Sequence, residues 1–118
     1  MNRSDKHPDD WLPLTQPAFQ VLLGLADGDK HGYAILKEID RRTDGSVRLN
    51  VSTLYGVLQR LERDGMIREA DERPDPALDD ERRRYFCITG LGRDVLAAEL
   101  SRFERALAMA RAKSFQPA

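Results

Sequence analysis

Asn50-Val51-Ser52-Thr53-Leu54-Tyr55-Gly56-Val57-Leu58-Gln59-Arg60-Leu61-Glu62-Arg63-Asp64-Gly65 combines the apolar spacing of a single helix with a polar face that packing alone does not require. Val51, Leu54, Leu58 and Leu61 recur at helical spacing, with Val57 beside them, and form one apolar stripe. Asn50 or Ser52 can accept the first free backbone N–H groups, and Gly65 can close the other end in the left-handed conformation. At about 100° per residue, Ser52, Thr53, Gly56, Gln59, Arg60 and Arg63 fall on the opposite side. This outer face carries hydroxyls, an amide and guanidiniums, groups that bond base edges and phosphates, and Gly56 would let the backbone approach a groove wall. The same pattern suits a solvated face on an ordinary core helix, so the flanking segments must decide between the two.

Upstream, Thr15-Gln16-Pro17 is a helix-start signal, and a first helix is expected from about Pro17 to Ala26, with Phe19, Val21, Leu22, Leu23 and Leu25 mostly inward. Asp27-Gly28-Asp29 ends it. His31-Gly32-Tyr33 leads into a second helix, about Gly32 to Thr43, whose apolar positions are Tyr33, Ile35, Leu36 and Ile39. His31 reads as a surface or capping residue. Arg41 and Arg42 suit the helix C-terminus and could equally touch phosphate. After a turn at Thr43-Asp44-Gly45-Ser46 and a short extended piece, Val47-Arg48-Leu49, comes the third helix, which makes a helix-turn-helix order.

Downstream, Met66 to Ala70 reads as a short strand, Asp71 to Asp80 with its two prolines as a loop, and Glu81 to Ile88 as a second strand. In the second strand Arg84, Phe86 and Ile88 share one face, with Tyr85 and Cys87 on the other. Together they predict a two-stranded wing. Arg82, Arg83 and Arg84 at its base could contact phosphates or enter a minor groove, or could form a charged strand edge that discourages pairing. A last helix is expected from Thr89 to about Lys113. Leu96, Leu100, Phe103, Leu107 and Ala110 make a seam in alternating steps of four and three, widened by Val95 and Met109. A helix of this length extends about 36 Å, beyond what so small a domain covers, so the seam is expected to pair with a second copy. Trp11 can pack on the body, on that second copy, or beside a ligand pocket.

With 118 residues, 41% of them hydrophobic and 33% charged, the chain suits one small domain plus a long helix. The divisions predicted are a disordered arm over 1–13, a DNA-binding domain over 14–89, a dimerisation helix over 90–113 and a tail over 114–118. No apolar run approaches the roughly 18 residues of a membrane span, and the first ten residues show no leader pattern, so a cytoplasmic protein with no membrane partner is expected. One cysteine, Cys87, excludes an intrachain disulfide and reads as a buried thiol. His7 and His31 are too isolated for a zinc-finger site, and neither a metal nor a cofactor is expected. The net charge of −1 hides a pattern. Residues 30–63 carry seven basic and four acidic side chains, 64–81 two and eight, and 82–118 eight and three. Two basic segments flank an acidic one, which can meet DNA if the fold brings the basic ones together.

These segments resemble the short subfamily of PadR transcriptional regulators. The matching residues are Gly28 to Ile35, Ser52-Thr53-Leu54-Tyr55 with Leu58, Arg60-Leu61 and Gly65-Met66-Ile67, and Arg83-Arg84-Tyr85-Phe86 with Ile88-Thr89 and Gly92. The resemblance covers about Leu14 to Arg111. It implies a mainly α winged helix-turn-helix with a C-terminal dimerisation helix, acting as a homodimeric repressor on an operator, in many members released by a small-molecule effector. It implies DNA contacts at Ser52, Thr53, Tyr55 and Arg60, and wing contacts near Arg82 to Arg84. Gln59 and Arg60 are the candidates for base edges, while Ser52, Thr53, Tyr55 and Arg63 mainly hold phosphates. An effector pocket is expected between the last helix and the first, near Trp11, Phe19 and Phe103. Some short members bind flat drugs beside a tryptophan on the last helix; here that helix has none, so no such site carries over. The rival readings are a winged-helix protein-interaction module that binds no DNA and, more distantly, an enzyme, for which no Ser/His/Asp set, phosphate-binding glycine loop or metal cluster is seen.

Overall fold

The side chains that bury themselves come from every predicted helix and both predicted strands. A computed structural model describes residues 7–70 and 84–117. Its core joins Val21, Leu22 and Leu25 to Ile35, Ile39, Leu54, Val57, Leu58, Leu61, Met66, Ile67, Phe86, Ile88, Val95 and Leu96. The elements are α1 (Gln16–Gly24), β1 (Lys30–His31), α2 (Gly32–Arg42), α3 (Val51–Arg63), β2 (Ile67–Glu69), β3 (Tyr85–Ile88) and α4 (Gly90–Ala112). This is the winged helix-turn-helix order with a long last helix.

The helix starts follow from side chains that accept the orphan N–H groups of a first turn. Thr15 Oγ1 accepts from Ala18 N at 3.3 Å, Asn50 Oδ1 from Thr53 N at 2.7 Å and Thr89 Oγ1 from Gly92 N at 3.1 Å. His31 Nδ1 does the same for α2, accepting from Ala34 N at 3.2 Å. Helix α3 stops because Gly65 adopts φ +82°, and Met66 N then donates back to Leu61 O at 2.9 Å.

Three sequence expectations are corrected here. The sheet has three strands, not two, in the order β1-β3-β2, all antiparallel, with Lys30 opposite Phe86 and Ile67 opposite Ile88. Val51 does not join the apolar stripe and is 59% exposed. The buried arc of α3 is centred on Leu54, Val57, Leu58 and Leu61, and Val51 lies about 70° from that centre, on the first, least covered turn. Residues 7–13, expected as part of a disordered arm, are ordered. Pro8–Trp11 form a 3-10 turn, in which His7 Nδ1 accepts from Asp9 N and Asp10 Oδ2 accepts from His7 N, and the turn packs on α4. The expected loop over Asp71 to Asp80, and Arg82 and Arg83, lie outside the described residues.

The N-terminal half of α4 completes the core. Glu99, 2% exposed, reaches back to the start of α1, where its Oε2 accepts from Leu14 N at 2.8 Å and its Oε1 pairs with Arg102. A buried carboxylate is tolerated only when so partnered. Beyond Phe103, half-exposed but still in contact with Phe19 of α1, the helix leaves the body, and Leu107 and Met109 are exposed. No helix among the described residues is long and apolar enough to cross a membrane.

Candidate nucleic-acid interface

Because Leu54, Val57, Leu58 and Leu61 face the core, the outermost line of α3 is set by geometry: Ser52, Gly56, Gln59 and Arg63 stand opposite them. Ser52, Gln59 and Arg63 are exposed, and a Cβ built on Gly56 would meet nothing within 4 Å. Thr53 and Arg60 flank this line on one side and Tyr55 and Glu62 on the other. Between α3 and β3 lies a groove of about 450 Å³, bordered by Ser52, Tyr55, Gly56, Gln59, Glu62 and Arg84. The glycine makes the centre of the outer face its lowest point, so backbone there can approach a ligand more closely than at any neighbouring position.

The predicted residues divide once the fold brings them together. Gln59 sits at the apex as a donor and acceptor. Arg60 is exposed, has no carboxylate partner among the described residues, and borders a second groove with Trp11, Thr15 and Asp64. Arg63 is also exposed, with Asp64 Oδ1 at 3.7 Å from its Nε. Tyr55, 47% exposed, lays its ring against the start of α2. A Cβ on Gly32 would stand 2.8 Å from the Tyr55 hydroxyl oxygen, so only glycine allows this contact.

Arg84 differs from the other basic candidates. Its Nε and Nη2 donate to Glu69 Oε2 at 3.2 and 3.0 Å, its Nη2 lies 3.8 Å from Glu62 Oε1, and its guanidinium sits over the Phe86 ring. The hydrogen bond to Glu69 holds its pKa above the ordinary arginine range; burial opposes this, and the charges of Glu69 and Glu62 add to the rise. Arg42 is likewise engaged: Nη2 donates to Gln20 O and Oε1 at 3.1 and 2.6 Å, and Nη1 pairs with Glu38 at 3.4 Å, which ties α2 to α1. Lys30 closes α1, donating to Gly24 O at 2.6 Å and to Asp27 Oδ1 at 2.5 Å. That bond, then the lysine charge, holds the Asp27 carboxyl below its usual range.

One exposed residue was missed by sequence reasoning, beside a lysine that the sequence already places outward. Tyr33, predicted inward, is 59% exposed, lies parallel to His31 with ring centroids 6.5 Å apart, and carries Lys37 Nζ 5.2 Å from its ring centre. His31 in turn meets Tyr85 edge to face at 5.2 Å, which links α2 to the sheet. The signal was the spacing of Tyr33 and Lys37, one turn apart on the rim of an amphipathic helix.

The predicted seam and pocket are also divided. Leu96 is 5% exposed and belongs to the core of its own chain, Leu100 and Ala110 are half-buried, and Phe103 and Leu107 are exposed. Phe19 and Phe103 meet edge to face at 5.2 Å and border a groove of about 380 Å³ with Gln16, Gln20, Glu99 and Arg102. Trp11 is not part of that groove and lies with Arg60 in the other.

Comparison with known proteins agrees with this fold. A model of the transcriptional regulator PadR-like family matches residues 21–98. An uncharacterized 37.1 kDa protein in transposon TN4556 of Streptomyces fradiae is 40% identical over 79 residues, which make up 67% of this chain and 20% of that protein. An uncharacterized protein of Lysinibacillus sphaericus is 35% identical over 77 residues, 65% of this chain and 68% of its own length. The chain therefore spans about a fifth of one curated relative and two thirds of the other. Among solved structures, a transcriptional regulator from Clostridium thermocellum superposes with a TM-score of 0.64 at 28% identity, covering 80% of this chain and 86% of that one. A PadR family transcription regulator from Clostridium difficile gives 0.69 at 23%, covering 82% and 96%. Bacillus subtilis PadR in complex with operator DNA gives 0.61 at 20%, covering 75% and 48%, a likeness of fold.

Proposed function

Because this chain belongs to the PadR-like family of transcriptional regulators, we propose that it binds a double-stranded operator in the cytoplasm as a homodimer, represses the promoter it occupies, and leaves it when a small molecule binds. The observation that carries the reading is the outer line of α3, Ser52, Gly56, Gln59 and Arg63, which is polar, exposed and lowest at its centre. In this reading α3 lies in a major groove. Gln59 bonds base edges and Ser52, Thr53 and Tyr55 fix the register on the backbone, as expected from the sequence, but the two arginines exchange roles: Arg63, on the outermost line, reaches an edge or a phosphate, and Arg60, set to its flank, joins the backbone contacts. Tyr33 and Lys37 on α2 extend the phosphate contacts, as the first helix of such a pair crosses the backbone.

The exposed end of α4 supports the pairing. From Glu104 to Ala112 the helix runs about 13 Å past the body and offers Leu107 and Met109, with the half-exposed Phe103 at its base, to a second copy. Two α3 helices then meet successive major grooves about 34 Å apart. An effector would sit in the groove of Phe19 and Phe103, where α1 meets α4, and act by changing the angle between body and paired helix. The test is selection from a pool of random duplexes by the full chain, followed by footprinting. An enriched inverted repeat with two protected segments one helical turn apart is expected. A pool that stays random after repeated rounds would overturn the reading.

A further inference from the structure

Arg84 reaches three elements at once. It precedes β3, it is bonded through two nitrogens to Glu69 on β2, and it lies 3.8 Å from Glu62 on the last turn of α3. Glu69 is the register partner of Phe86, whose ring lies under the guanidinium. All three charged side chains are between about a third and a half exposed, and Glu62 and Arg84 border the groove beside the outer line of α3. If Arg84 instead held a phosphate, it would leave two carboxylates uncompensated next to a polyanion. A phosphate held on Nε and Nη2 would have to displace Glu69.

We infer that Glu69 and Glu62, though acidic, promote DNA recognition, because through Arg84 they hold the sheet against α3 at the spacing that the groove-facing side chains require. Arg84 is then a positioning residue and not a phosphate ligand. The inference rests on the DNA-binding reading, and the two make separable claims. Removing an acid from a DNA-binding face ordinarily tightens binding, since it removes a repulsion and here would also release an arginine. The positioning role requires the opposite sign for the specific duplex. It also requires that non-specific binding, which depends on charge and not on geometry, be spared.

The experiment titrates Glu69→Gln and wild type, at one salt concentration, against the duplex enriched by wild type and against a scrambled duplex of the same length. Thermal melts run alongside. Glu69→Gln is expected to bind the enriched duplex about two- to fivefold more weakly, the range of an exposed ion pair, and the scrambled duplex as tightly as wild type or more so. Glu62→Gln should move the same ratio in the same direction by less, given its longer distance. Equal or tighter binding of the enriched duplex by Glu69→Gln overturns the inference and leaves the DNA-binding reading intact. An equal loss on both duplexes, which a partly unfolded variant would give, also overturns it. If wild type enriches no duplex, both fail together.

Discussion

Gly92→Ala tests the packing that orients α4 against the sheet, and here the structure and helix propensity disagree in sign. Alanine in place of glycine within a helix is ordinarily worth up to about 1 kcal/mol. At position 92 the new Cβ would overlap the Met66 carbonyl oxygen, and Ile88 Cγ1 would lie only 2.8 Å away. The isoleucine can turn aside, but the carbonyl cannot, because it accepts the Thr89 amide at 3.0 Å, while the Thr89 hydroxyl donates to Gly65 O at 2.6 Å. Relieving the overlap means withdrawing α4 from the end of α3, which strains both bonds. Overpacking costs about 1–3 kcal/mol and weakened hydrogen bonds about 1 kcal/mol each. After the propensity gain, a net loss of about 2–4 kcal/mol is expected. For a chain of this size that lowers the melting temperature by about 10 °C. The assay is urea and thermal unfolding followed by circular dichroism, at fixed protomer concentration because pairing couples to stability. A variant that melts at or above wild type would refute the packing argument.

Three further outcomes are expected. Gly56→Ala, at a site with open space around it, should stabilise the fold by up to about 1 kcal/mol in urea unfolding while weakening binding to the enriched duplex in an anisotropy titration; a variant that gains stability and keeps its affinity would show that close approach at Gly56 is not used. Leu107→Arg places a charge in the exposed seam of α4 and should weaken self-association at least about a hundredfold by sedimentation equilibrium, with an unchanged circular dichroism spectrum; a variant that pairs like wild type would remove the seam from the interface. Asp27 has a depressed pKa in the fold, so its stabilisation is present above its unfolded value and lost as pH falls through the folded one. Asp27→Asn should therefore melt below wild type at neutral pH and converge with it once the pH is low enough to protonate the folded-state carboxyl; a difference that stays constant on acidification would contradict the Lys30 pairing.

What the sequence shows of this fold is what neighbouring residues determine among themselves. The stripe of α3 from Leu54 to Leu61, the caps at Thr15 and Thr89 and the left-handed stop at Gly65 all act within one or two turns and lie where the residues predict them; of the two caps open to α3, Asn50 is the one used, and Val51 alone leaves the stripe. Strand β1 is only two residues long and exists because β3 comes alongside from more than fifty residues away, so no local pattern announces it. Glu99 looks like an ordinary polar position until Leu14, 85 residues earlier, is seen to donate to it. The same distance effect decides between readings of basic side chains: Arg84 and Arg42 could each touch phosphate as far as the sequence goes, and the carboxylate and carbonyl partners that engage them come from other elements. Tyr33 was misread because three apolar residues on the same helix suggest a wide buried arc, whereas Ile35 and Ile39 fill the core position and leave the tyrosine on the rim. The outer face of α3 was legible because a helix that buries one arc must expose the opposite one, and its composition needs no partner to be read.

The claim on which the account turns is that this outer face reads base identity, with Gln59 at its apex. The direct measurement is the affinity of wild type and Gln59→Ala for a panel of single-base-pair variants of the enriched duplex. Discrimination worth about 1–3 kcal/mol is expected to vanish in Gln59→Ala at one or two positions, repeated symmetrically in both half-sites, with the remaining positions unchanged. A loss spread evenly over all positions, or a discrimination profile identical to that of wild type, would contradict it.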